Sequence, residues 1–131
     1  MNTFCSFMII DDDAMNNFIC KAAIKNVVKD AHLISFEKPV EALEYIKTNF
    51  STDKPAKTYM LLDINMPILT EWEFLEELEK NHPELLPGFL IYILSSSIDV
   101  RDIKRAEANP NVVDFVSKPL TKEAINRIVA A

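Results

Sequence analysis

The sequence predicts an α/β domain, a three-layer sandwich in which a parallel sheet of five strands is flanked by five helices. Three observations lead there. Short apolar runs recur along the chain, and each is followed by a segment whose apolar residues fall at helical spacing. The central run, Tyr59 to Leu62, shows no polar alternation, as suits a strand covered on both faces. Four of the runs lead into polar residues, at Asp11, Asp63, Ser95 and Lys118, and the carboxyl ends of strands are where open α/β sheets place their ligands.

Composition bounds the reading. A chain of 131 residues fits one domain, 1–131, large enough to bury a core without disulfides or structural metal. Its 49% hydrophobic and 26% charged residues are those of a globular protein and not of a disordered tail or a fibre. The net charge of −6 argues against a nucleic-acid or anionic-membrane surface, which needs clustered Lys and Arg. Cys5 and Cys20 stand far apart, in no ligand spacing, and read as small core-filling residues. The start, MNTFCSFMII, lacks the pattern of a secretory leader, and no apolar run reaches membrane-spanning length, so a cytoplasmic location is expected.

Phe4 to Ile10 is the first strand, and it ends in Asp11, Asp12 and Asp13. From Ala14 the spacing turns helical, with Met15, Phe18, Ile19 and Ala22 expected on the buried face. One of the three aspartates serves as an N-cap; three exceed what a cap needs. His32 to Phe36 alternates polar and apolar side chains, as a strand near a sheet edge does. Pro39 fits the first turn of a second helix with Val40, Leu43 and Ile46 as its apolar stripe, and Asn49 to Lys57 is a polar loop.

After the central strand, Glu71 to Lys80 forms a charged helix whose inner face is Phe74, Leu75 and Leu78. Glu73, Glu76, Glu77 and Glu79 make its solvated side. Pro83, Pro87 and Gly88 interrupt the chain before a fourth strand, Phe89 to Leu94, which runs into Ser95, Ser96 and Ser97. A short helix from Asp99 to Ala106 around Val100 and Ile103 precedes the fifth strand, Val112 to Val116, which leads into Ser117, Lys118 and Pro119. Thr121 caps a last helix carrying Ala124, Ile125, Ile128 and Val129. Five such βα units with right-handed crossovers make the flavodoxin-like order 2-1-3-4-5 the natural arrangement.

In that arrangement Asp11, Asp12, Asp63, Asn65, Ser95 and Lys118 converge at one rim of the sheet. A hard divalent cation such as Mg²⁺ takes a few carboxylate and carbonyl oxygens and keeps several waters, so a pocket of two or three aspartates suits it. With a cation, an ammonium and a hydroxyl together, a phosphoryl group can be held and its charge neutralised. An aspartate can itself be the nucleophile and form an acyl phosphate.

An acidic pair after strand one, D-x-N-M-P at Asp63 to Pro67, a hydroxyl at Ser95 and K-P at Lys118 and Pro119 resemble the receiver domains of bacterial two-component response regulators. The resemblance spans essentially the whole chain, which is similar in length to the stand-alone chemotaxis type, so a receiver without an output domain is expected. It implies that Asp63 is the phosphoacceptor, that Asp12 and Asp63 supply carboxylates to Mg²⁺ with Asp11 acting through water, and that the backbone carbonyl of Asn65 completes the ligands. It further implies that Ser95 hydrogen-bonds the phosphoryl oxygen, that Lys118 pairs with it, and that Ser95 and Phe115 form the switch. Asn65 and Ser97 match the lifetime-tuning positions, and since neither carries charge an intermediate phosphoryl lifetime is expected. A K-P pair also admits a cis bond.

The partners implied are a sensor histidine kinase or histidine phosphotransfer protein and a downstream protein target. Signalling would go through contacts on the surface of the fourth helix, fifth strand and fifth helix or by onward phosphotransfer, and enzymatic activity is expected to stop at self-catalysed phosphorylation and dephosphorylation. The sequence departs from the family at Glu71, where a Gly is common, at Thr70, where an acidic residue is, and at Ser96, where a smaller residue is. Glu71 implies a reshaped turn or an earlier helix start. The alternative is a receiver-like binding module that works without phosphorylation. A phosphatase on aspartyl-phosphate chemistry needs an acid where Asn65 stands.

Overall fold

Alternating short strands and amphipathic helices close into one parallel sheet with helices on both faces. The computed structural model describes residues 6–49, 58–63, 71–95, 100–118 and 120–130. In chain order its elements are β1 (Ser6–Ile10), α1 (Ala14–Val27), β2 (His32–Phe36), α2 (Pro39–Asn49), β3 (Thr58–Asp63), α3 (Glu71–Asn81), β4 (Phe89–Ser95), α4 (Val100–Ala108), β5 (Val112–Ser117) and α5 (Lys122–Ala130). A 3-10 turn over Pro83–Gly88 joins α3 to β4. The strand order is β2-β1-β3-β4-β5, with every neighbouring pair parallel, as the sequence predicts.

Strand alternation divides the core into two layers. Met8 and Ile10 of β1, Met60 and Leu62 of β3, and Ile91 and Ile93 of β4 face α2, α3 and α4, meeting Ala42, Ile46, Trp72, Phe74, Leu75, Leu78 and Ala106. Phe7 and Ile9, Leu61, Tyr92, Leu94 and Val116 face the other way, against Cys20 and Ile24 of α1 and Ala124, Ile125 and Ile128 of α5. Because successive side chains point to opposite faces, Asp11, Asp63 and Lys118 continue the α1–α5 side of their strands. Ser95 and Phe115 continue the opposite side, and Phe115 is half-buried against it.

The helix caps follow the sequence. Asp13 is the N-cap of α1, its carboxylate accepting from the Met15 N–H at 2.9 Å. Thr121 Oγ1 accepts from the Ala124 N–H at 3.1 Å and opens α5. Pro39 is the first residue of α2, and α3 begins at Glu71.

The buried face of α1 is the opposite of the one the periodicity predicts. Met15, Phe18 and Ile19 are 65%, 69% and 45% exposed and Ala22 is also outward, while Asn17, Cys20 and Ile24 are buried. α1 carries two apolar stripes, and the one packed on the sheet is Cys20 and Ile24, flanked by the half-buried Ala23, Val27 and Val28. Smaller corrections of the same kind apply elsewhere. Val40 and Val100 are exposed, and the inner positions of α2 and α4 are Ala42, Ile46 and Ala106. At the sheet edge, the register of β5 on β4 slips between Ile91 and Tyr92, so that Val112 and Asp114 find partners and the exposed Val113 is bulged out. A bulge and an outward Asp114 keep such an edge from pairing with another chain.

Candidate functional site

Register places the site. Ile10 pairs with Leu62, so Asp11, the next residue after β1, comes level with Asp63 at the end of β3. Asp63 pairs with Leu94, which puts Ser95 one residue beyond, and Ser95 pairs with Ser117, which puts Lys118 just past the end of β5. A backbone bond from the Lys118 N–H to the Ser95 carbonyl, 2.7 Å, fixes the last of these. In the order β2-β1-β3 the sheet grows to one side of β1 with β2 and to the other with β3, and the crevice between the carboxyl ends of β1 and β3 is the site.

Lys118 is the centre of the charge arrangement. Its Nζ donates to Asp63 Oδ1 at 2.6 Å and to Asp11 Oδ2 at 2.8 Å, with all three side chains largely shielded from solvent. Asp11 is buried, and its other oxygen accepts from the Asp13 N–H at 2.9 Å. Asp12 is exposed at the mouth. Asp63 is raised from 3.8 to about 6: burial is the largest cause, the Lys118 hydrogen bond and charge oppose it, and the charges of Asp11 and Asp12 add to the rise. Burial lowers Lys118, but its hydrogen bonds to Asp11 and Asp63 outweigh this and hold the ammonium above its ordinary range.

Ligand oxygens of Asp11, Asp12 and Asp63 lie within 4.8 Å of one another, the only such group of potential metal ligands among the described residues. Three carboxylates against one ammonium leave the pocket with two uncompensated negative charges when all are ionised. A hard divalent cation fits both the charge and the all-oxygen donor set.

Residues 7–130 match the family model of the response regulator receiver domain. The chain belongs to the response regulator receiver domains. A two-component response regulator from Cytophaga hutchinsonii is 28% identical, with a TM-score of 0.87 over 98% of this receiver and 96% of that chain. A response regulator receiver domain protein from Methanospirillum hungatei is also 28% identical, with a TM-score of 0.65 over 94% of this receiver and 89% of that one. A receiver protein from Dyadobacter fermentans, 24% identical with a TM-score of 0.81 over 94% and 96%, shares the fold. No curated protein matches the chain. Membership places this receiver in two-component signalling, a role that implies phosphoryl acceptance.

The structure brings Asp11, Asp12, Asp63 and Lys118 together and sets Ser95, which is buried, on the neighbouring strand. Ser95 and Phe115 share one face of the sheet, Phe115 pairing with Ile93 two residues before Ser95. Asn65, Ser96, Ser97, Thr70 and Pro119 lie outside the described residues. Two residues beneath the pocket were not singled out from the sequence for any role in it. Cys20 is a packing residue whose thiol burial pushes up to about 11, with Lys118, Asp11 and Asp63 close enough to act on it. Asn17 is buried on the same helix face, and its Nδ2 donates to the Asp11 carbonyl at 3.0 Å. The signal for it was present in the spacing, since Asn17 shares a helical stripe with Cys20 and Ile24 and follows the cap Asp13 by four residues.

Proposed function

We propose that Asp63 accepts a phosphoryl group from a phosphohistidine on a sensor kinase or a histidine phosphotransfer protein, in a Mg²⁺-dependent reaction. One observation carries this reading: the Asp63 carboxylate sits at the topological switch point, paired to Lys118, with Asp11 and Asp12 beside it. In the transfer a carboxylate oxygen of Asp63 bonds to phosphorus while the phosphorus–nitrogen bond of the donor breaks, its electron pair leaving on the imidazole nitrogen. With a pKa of about 6, Asp63 is mostly ionised at neutral pH and available as the nucleophile.

Asp11, Asp12 and Asp63 would hold Mg²⁺, joined by the carbonyl of Asn65. The ion supplies neutralisation of the charge on the phosphoryl oxygens. Lys118 changes partner, from the Asp63 carboxylate to a phosphoryl oxygen, and keeps its bond to Asp11. Ser95 donates to a second phosphoryl oxygen. Because Ser95 and Phe115 lie on one sheet face, a movement at Ser95 reaches Phe115 and the surface of α4, β5 and α5, where the downstream protein binds. No nucleic-acid contact is involved. Chemistry is limited to self-catalysed gain and loss of the phosphoryl group, with an intermediate lifetime set at Asn65 and Ser97, and the protein works in the cytoplasm.

The donor protein has a place to dock. Met15, Phe18 and Ile19 are exposed on α1, directly after the acidic loop, so a partner presenting its histidine to Asp63 covers them.

The test is the intact mass after incubation with acetyl phosphate, with and without Mg²⁺, for the wild type and Asp63→Asn. The expected result is one phosphoryl adduct that needs the metal and is absent from the variant. A well-folded protein that gains no adduct from acetyl phosphate or from a cognate kinase would be a phosphorylation-independent binding module instead.

A further inference from the structure

Asn17 is a polar residue in an apolar layer. It is 4% exposed, on the face of α1 that also carries Cys20 and Ile24. Its Nδ2 donates to the Asp11 carbonyl, while its Oδ1 is buried and accepts no hydrogen bond from the described residues. The orientation of the carboxamide is fixed by chemistry, since turning it over would set two acceptor oxygens against each other. A buried carbonyl without a donor opposes folding, so an apolar side chain would serve the packing of α1 at least as well. The value of the amide lies in what its N–H group holds.

What it holds is the link between two members of the acidic cluster. β1 ends at Ile10, and the Asp11 carbonyl lies beyond the ladder, where a backbone acceptor has to find another donor. Asn17 is that donor. The other polar groups of Asp11 are also committed: its N–H to the Phe36 carbonyl at 3.0 Å, Oδ1 to the Asp13 N–H, and Oδ2 to Lys118. The Asp11 carbonyl belongs to the planar peptide that joins Asp11 to Asp12. Fixing that plane fixes the N and Cα atoms of Asp12, the base from which its side chain leaves the backbone, relative to the Asp11 carboxylate already pinned by Lys118 and Asp13.

We propose that Asn17 is a positioning residue for the cation site: through the Asp11 carbonyl it presents the carboxylates of Asp11 and Asp12 together to a divalent cation. This rests on the reading that the acidic cluster binds Mg²⁺. Residues that orient ligands from behind in this way change metal affinity by about tenfold or more when removed.

The experiment is a calorimetric titration with Mg²⁺ alone at pH 7 on the wild type, Asn17→Leu and Ile24→Val, each with its thermal midpoint. Ile24 is buried on the same face of α1 with its side chain in the apolar layer, so Ile24→Val reports what loosened packing alone does to the site. The expected result is an affinity at least about tenfold weaker in Asn17→Leu and unchanged in Ile24→Val, whatever the order of the midpoints. Wild-type affinity in Asn17→Leu overturns the inference, and so does an equal loss in Ile24→Val. A wild type that binds no Mg²⁺ removes the metal reading and this inference with it, whereas a wild type that binds while Asn17→Leu binds equally removes the inference alone.

Should Asn17→Leu fail to fold, nitrogen-edited NMR on the wild type decides. The Asn17 side-chain amide is expected to exchange slowly with solvent and to shift with Mg²⁺ at the same midpoint as the backbone amides of Asp12 and Asp13. An Asn17 amide unmoved by Mg²⁺ while those backbone amides titrate overturns the inference.

Discussion

Lys118 Nζ stands 2.6 Å from Asp63 Oδ1, a contact between residues 55 positions apart in the chain, and the same nitrogen bonds Asp11 at 2.8 Å. One ammonium thus closes the ends of β1, β3 and β5 against each other. Removing it leaves two shielded carboxylates facing one another. Lys118→Met is therefore expected to lose about 3 kcal/mol of stability in urea unfolding at pH 7 without metal, the usual cost of breaking a buried pair from one side. Added Mg²⁺ restores part of the loss by supplying the missing positive charge. A variant as stable as the wild type without metal would mean that the carboxylates are better solvated than the geometry indicates.

Asp63 gives the protein a pH dependence of definite sign. Its pKa is 3.8 in the ordinary state and about 6 when folded, so between those values the folded protein holds a proton that the unfolded chain has released. The stability associated with that proton is fully present below about pH 4 and is lost as the pH rises through about 6. Asp63→Asn, which carries no charge at any pH, should be more stable than the wild type at pH 7 by on the order of 1–3 kcal/mol. Denaturation curves between pH 4 and 8 measure this: the gap closes toward pH 4, and Mg²⁺ narrows it at pH 7. A constant gap across that range would show that the carboxylate is not strained by burial.

Much of this was legible in the sequence, for identifiable reasons. Strand ends were readable because β1, β3, β4 and β5 each run straight into a polar residue, and parallel register then forces those residues to one rim. Helix starts were readable where a cap or a proline marked them, as at Asp13, Pro39 and Thr121. The phase of α1 was not, because two apolar stripes compete there. The winning stripe includes Asn17, which hydropathy assigns to the surface and which is buried with its Nδ2 donating to the Asp11 carbonyl. The β5 bulge at Val113 was equally hidden, since it depends on how β5 meets β4 and not on local pattern.

The junction of α3 and α4 offers a spectroscopic handle. Arg105 of α4 lies over the ring of Trp72 of α3, 4.7 Å from its centroid, and Trp72 is the only tryptophan in the chain. Tryptophan emission, excited selectively over the three tyrosines, therefore reports on that junction alone. Arg105→Ala should shift the emission and cost about 0.5–1 kcal/mol in thermal or urea unfolding. If phosphorylation repositions α4, acetyl phosphate with Mg²⁺ changes the emission of the wild type and leaves Asp63→Asn unaltered. An emission that does not respond in a protein shown by mass to be phosphorylated would confine the switch to Ser95 and Phe115.

The exposed face of α1 separates donor recognition from chemistry. Met15, Phe18 and Ile19 make no contribution to the buried layers, so replacing one of them with a polar residue leaves the fold within about 0.5 kcal/mol of the wild type. Acetyl phosphate needs only the pocket, whereas a protein donor has to bury the surface around it. Phe18→Ser is thus expected to be phosphorylated by acetyl phosphate at the wild-type rate and by its cognate kinase or phosphotransfer protein about tenfold or more slowly, since losing a large apolar anchor from an interface costs upwards of about 1–2 kcal/mol. Single-turnover transfer from the phosphorylated donor, run beside the small-molecule reaction, makes the comparison. Equal slowing in both would place the defect in the pocket, and no slowing in either would mean that the donor approaches over another face.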